Sequence, residues 1–215
     1  MDAPSIADVP EHDLVEVVFT NPLFEQVAVP PQTRGPISYR LRVTPKQLDL
    51  APNAFGDVDA LVLTANDPSS ARASEYKRVK VSTKTFTTGR PNKLQELRKA
   101  AEQANELAEA GFSRVWMQVI VVTDAREVTG GQFQLVPRVF EIRDLVRANI
   151  PFGELHPSVG VHVMHLVQPV DRPVTDAGQF GGDVMRTVQP QTQPEALTRA
   201  IAKLFPEAGG VRHLP

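Results

Sequence analysis

The chain has 215 residues, 41% of them hydrophobic and 22% charged, with a net charge of −2 and no cysteine. That size suits one domain with a sizeable core, and the composition excludes a disordered or membrane-embedded chain. Without cysteine there is no disulfide scaffold and no thiolate zinc site, which favours a cytoplasmic setting. No run approaches the roughly 18 apolar residues of a bilayer span, so no membrane partner is expected. The start, MDAPSIADVPEHD, has no basic region followed by an apolar one, as a signal peptide would.

Taken in order, residues 1–10 read as loose chain and EHDLVEVVFT (11–20) as a short helix, because Leu14, Val15, Val18 and Phe19 fall on one helical face. Four prolines make 21–36 a loop. ISYRLRV (37–43) alternates as a strand should, and 45–56 is a connector with one helical turn. VDALVL (58–63) is apolar and β-branched, NDPSS (66–70) is a cluster of turn formers, and ASEYKRVKV (73–81) alternates again. A Thr-rich loop (83–92) leads to KLQELRKAAEQANELAEAGF (93–112), a helix with an alanine-rich stripe and Gly111 as its stop. SRVWMQVIVVTD (113–124) is nearly continuous apolar sequence, as a strand buried on both faces should be, with Trp116 in the core. After it we expect a short strand at 130–137, a helix at 138–149, a strand at 159–170, loop over 171–193 and a terminal helix at 194–207. His162 and His165, three apart on a strand, point to opposite faces, one into the core and one to the surface, rather than acting as metal ligands. The turn between 58–63 and 73–81 makes that pair antiparallel. The helix between 73–81 and 113–124 implies a parallel return. The fold class is therefore α/β with a mixed sheet.

The charges are unevenly placed. Residues 1–31 carry six acidic groups and no Lys or Arg, whereas residues 72–99 carry nine basic groups and two acidic ones, a balance of +7. That stretch reads either as a solvated basic face or as a surface for phosphates. Within it, alternation puts Glu75 and Lys77 on one face of a strand, with Asp59 near the start of the neighbouring strand. Three charges in a strand pair are costly unless something uses them, and a divalent cation would.

GDVDALVL (56–63), then ASEYKRVKV, then the alanine-rich helix and the buried strand, resembles the PD-(D/E)xK nuclease superfamily with its restriction-endonuclease-like fold. The likeness covers about half of the chain. It implies an α-β-β-β-α-β core over 11–122 and C-terminal α/β additions of unknown role over 125–215, within a single domain. Asp59 and the Glu75-Tyr76-Lys77 triplet would be the signature, with Asp57 the first acid of the Gly-Asp-x-Asp form. The resemblance implies Mg²⁺ (or Mn²⁺) held by Asp59, Glu75 and the main-chain carbonyl of Tyr76, with Lys77 acting on water or on developing charge. It also implies a glutamate from the first helix, for which Glu16 is the candidate, and a helix glutamine, for which Gln103 is. Lys80, Lys84, Arg90, Lys93 and Lys99 would contact a nucleic-acid backbone without reading sequence.

The function implied is hydrolysis of phosphodiester bonds in nucleic acid, DNA first. Target choice would come from a homodimer, a partner protein or residues 125–215. The rival is a non-catalytic nucleic-acid-binding or structural protein on the same fold. An unrelated small-molecule enzyme is disfavoured because neither GxGxxG nor GxSxG is present.

Overall fold

The computed structural model describes residues 5–20, 37–81, 93–125, 132–168 and 178–205, the side chains of 132–138 and 178–180 excepted. Helix α1 (Glu11–Thr20) precedes strands β1 (Ile37–Val43), β2 (Val58–Thr64) and β3 (Arg72–Val81). Helix α2 (Glu96–Glu109) leads to β4 (Arg114–Asp124), and α3 (Gln132–Asn149) leads to β5 (Val159–Gln168). Strand β6 (Gly178–Arg186) and α4 (Glu195–Leu204) follow. The six strands form one mixed sheet in sequence order. β1–β2, β2–β3 and β5–β6 pair antiparallel; β3–β4 and β4–β5 pair parallel. No helix among the described residues is long and apolar enough to cross a membrane.

Local chemistry explains the turns that aim the central strands. Ala65 and Asn66 both adopt left-handed backbone, and Asp67 N–H bonds back to Thr64 C=O at 3.0 Å. This reverse turn closes β2, and the rest of residues 65–71 completes the link to β3. Asp67 then caps the 3₁₀ turn Pro68–Ser70, accepting from Ser69 N–H. Gly111, with φ 97°, ends α2 in the conformation that glycine tolerates best.

The sheet divides two apolar layers. Leu97, Ala100, Ala101 and Ala104 of α2 pack with α3 and α4 on one face, against Leu61, Ala73, Val79, Met117 and Val119. Leu14, Val15, Val18 and Phe19 of α1 pack on the other face, against Ala60, Val62, Tyr76 and Ile120. The small alanines let α2 lie close to the sheet. β3 thus shows its period of two directly: Ala73 and Val79 belong to the α2 layer and Tyr76 to the α1 layer.

Several expectations are corrected. The strand read at 130–137 is, from Gln132, the start of α3; its short apolar run carries no period that separates strand from helix. The loop read at 171–193 contains β6, which GQFGGDVMR does not announce because its glycines lack a strand former's side chain. His162 and His165 are both buried, so neither is a surface residue. His162 Nδ1 lies 2.8 Å from Gln118 Oε1, and His165 faces α3 beside Val139 and Arg143. Burial pushes both imidazoles down to about 4. Trp116 is core, as read.

Candidate active site

β2 and β3 stay paired only briefly: the ladder runs Val62–Arg72, Leu61–Ala73, Ala60–Ser74. Beyond Ser74, among the described residues, side chains rather than a strand meet this edge of β3. Tyr76 N–H donates to Asp59 Oδ2 at 2.7 Å, and Arg78 N–H donates to Glu11 Oε2 at 2.7 Å. In an extended strand the N–H and C=O of one residue face the same neighbour, so the carbonyl of Tyr76 faces this opening too. The opening is the place where two backbone donors meet carboxylates from β2 and α1.

Glu75 stands next to Tyr76 in sequence and on the opposite face, under α2. It is 5% exposed and has no hydrogen-bond or ion-pair partner among the described residues. Burial, then repulsion from Asp59, pushes its carboxyl up to about 9. Asp59 is raised to about 6, chiefly by burial, with Glu11 and Asp57 adding and the Tyr76 N–H and Lys77 opposing. The charge of Asp59 thus reaches Glu75, and two carboxyls raised within one strand pair are the electrostatic mark of a candidate site.

Lys77 lies two residues on, on the face of Glu75. Its Nζ is 3.2 Å from Glu11 Oε1 and 3.4 Å from Glu96 Oε2, at the first turn of α2. Burial lowers its pKa, but these two carboxylates outweigh burial and hold the ammonium above its ordinary value. Lys77 therefore bridges the two helical layers across the gap that β2 leaves.

Asp59, Glu75 and Lys77 lie near enough in the strand pair for Asp59 to raise Glu75 and for Lys77 to oppose both shifts. Glu16 does not join them: that side chain is exposed on the outer face of α1. Glu11 is the α1 carboxylate that reaches β3. The signal for it is in the spacing, since Glu11, Leu14, Val15 and Val18 stand at i, i+3, i+4 and i+7 on one stripe, which Glu16 leaves. Gln103 lies on the flank of α2, its Nε2 3.6 Å from where a Cβ on Gly56 would be. This sets its amide over the Gly-Asp-x-Asp strand start. Asp57 is exposed.

The expected phosphate contacts fare unevenly. Lys80 Nζ is paired with the carboxylate of Asp8, and Lys93 Nζ lies 3.6 Å from Glu96 Oε2. Lys99 is exposed; Lys84 and Arg90 lie outside the described residues. Arg98 pairs with Glu154. Asp8 and Glu11 of the acidic N-terminal stretch sit on the basic strand, so part of the +7 balance is met within the chain. Among the described residues no three His, Cys, Asp or Glu side chains form a group that could hold a metal ion.

No family model matches this chain, and no curated protein does.

Proposed function

We propose that the chain is a metal-dependent nuclease, hydrolysing phosphodiester bonds of nucleic acid, with DNA as the first substrate to test. The restriction-endonuclease-like core suggested by the sequence would run from α1 to β4. One observation carries the reading: a half-buried Asp59, tied to Tyr76 N–H, and a buried Glu75 lie where β2 parts from β3, with Lys77 on the face of Glu75.

The residues suit a hard cation. Mg²⁺ takes a few protein oxygens and keeps several waters, so two carboxylates and the Tyr76 carbonyl form a sufficient set even without a third acidic or histidine ligand. Among the described residues Glu75 has no ion pair, Lys77 acting on it only at a distance, and a divalent ion would remove the cost of ionising it. When bound, such an ion polarises a phosphate oxygen and makes water more acidic. The chain's residues do the rest. Asp59, tied to Tyr76 N–H through Oδ2, would have its other oxygen for the ion. Lys77 stays an ammonium at neutral pH, so it meets negative charge growing on the phosphate rather than removing a proton. Glu11 and Glu96 fix where that ammonium sits. Gln103 is placed to hydrogen-bond near Gly56.

A second reading has an observation of its own. The pairing of Lys77 and Lys80 with Glu11, Glu96 and Asp8 is also what a structural charge cluster on a non-catalytic binding protein would show. Incubating the protein with plasmid DNA, single-stranded DNA and RNA in Mg²⁺, Mn²⁺ or EDTA separates the two. The proposal expects cleavage that needs the metal and is lost in Asp59→Asn. A wild-type protein that cuts no substrate with either metal would leave the second reading.

A further inference from the structure

The basic edge of β3 is already covered by a row of carboxylate and carbonyl oxygens. Past Tyr76, Arg78 N–H and Lys77 Nζ are held by the Glu11 carboxylate. The Arg78 guanidinium donates to the main-chain carbonyls of Ala7 (3.4 Å) and Val9. Lys80 Nζ is held by Asp8. Anionic and carbonyl oxygens thus follow the strand one after another. Residues 78 and 80 are roughly 6.6 Å apart along an extended strand, a step similar to that between neighbouring phosphates of a stretched nucleic-acid strand.

We propose that the turn Ile6–Asp8 and the start of α1 act as an internal stand-in for substrate phosphates, so that nucleic acid and the Asp8 carboxylate compete for Lys80 on β3. This rests on the nuclease reading and adds to it the track along which the backbone runs. Competition does not require the N-terminal segment to leave. Ile6 is anchored by burial and by its N–H to Gln168 Oε1 at 2.7 Å, while the apolar face of α1 holds the helix. Only side-chain partners exchange. The Asp8 side chain is 69% exposed and that of Lys80 28%, so an incoming phosphate reaches the pair from solvent. Exposed pairs are weakly held, and a phosphate in a polyanion brings counterion release that a lone carboxylate does not.

The test is equilibrium binding of short fluorescent DNA, single- and double-stranded, in EDTA to prevent cleavage, from low to physiological salt. Asp8→Asn should bind several-fold tighter than wild type, and its plot of log affinity against log salt should be steeper by about 0.7–0.9, the contribution of one more phosphate contact. Lys80→Ala should bind more weakly, and adding Asp8→Asn to it should restore nothing, because the two changes act on one pair. Melting temperatures of all variants confirm that the fold is kept. Wild type that binds DNA, with Asp8→Asn no tighter, would overturn this inference and leave the nuclease reading. Absence of binding by wild type and Asp8→Asn alike, with no cleavage by wild type, would overturn both.

Discussion

Replacing Glu75 by glutamine separates a metal-binding carboxylate from a structural one. Glu75 is buried without a partner among the described residues, and its pKa is raised from 4.5 to about 9. At pH 7 the unfolded chain carries this group ionised and the metal-free native state carries it protonated. Folding must therefore take up a proton. The interval from 4.5 to 7, at about 1.4 kcal/mol per pH unit, comes to roughly 3 kcal/mol against the native state. Because the folded pKa is the higher one, the native state is favoured most below 4.5, and that advantage is lost as pH rises toward 9. Glutamine cannot ionise and fills the same volume. In EDTA at pH 7 the Glu75→Gln protein should melt on the order of 5–10 °C above wild type, with the gap closing as pH falls toward 4.5. Adding Mg²⁺ should raise wild type alone, by mass action on a site the variant has lost. Circular dichroism melts at several pH values, with and without metal, measure all of this. A Glu75→Gln protein that melts at or below wild type at pH 7 in EDTA would refute the reasoning, since Glu75 would then be stabilising the fold.

Lys77→Ala should lose cleavage on the order of 10²-fold or more while keeping its Mg²⁺-induced rise in melting temperature. Its stability cost should stay near 1 kcal/mol, because Glu11 and Glu96, each about a third exposed, remain hydrated; a collapse of the fold would mark Lys77 as structural. Glu11→Gln keeps an oxygen for Arg78 N–H but drops the charge on Lys77, so cleavage should fall about tenfold or more, whereas Glu16→Gln should match wild type. Equal effects of the two would show that α1 contributes nothing specific. His162 and His165, held down to about 4 by burial, contribute stability that is present above 6.5 and lost as pH falls from 6.5 toward 4. Denaturant titrations of the Glu75→Gln protein across that window should show the decline, and His165→Leu should make it shallower.

Much of the fold was legible because period and punctuation are local properties. Helix α1, strands β1 to β5 and helix α2 follow from apolar spacing, from the turn formers at 66–70 and from Gly111. The alternation of β3 placed Glu75 with Lys77 before any coordinates. Three kinds of feature were not legible. Strand β6 exists because β5 offers it an edge, and its glycine-rich sequence has little strand preference of its own. Burial of both histidines depends on what the sheet's two faces meet, which alternation cannot tell. The choice of Glu11 over Glu16 depends on where α1 crosses β3. Charge placement shows the division most clearly. The sequence by itself determined that an acidic N-terminal stretch and a basic strand exist, and that Asp59, Glu75 and Lys77 share one strand pair. Only the tertiary structure decided that Asp8 and Glu11 of that stretch lie on the basic strand, and that β2 parts from β3 at Ser74. The reason is physical: period fixes which face a side chain takes, but the pairing of charges far apart in sequence depends on how the layers pack.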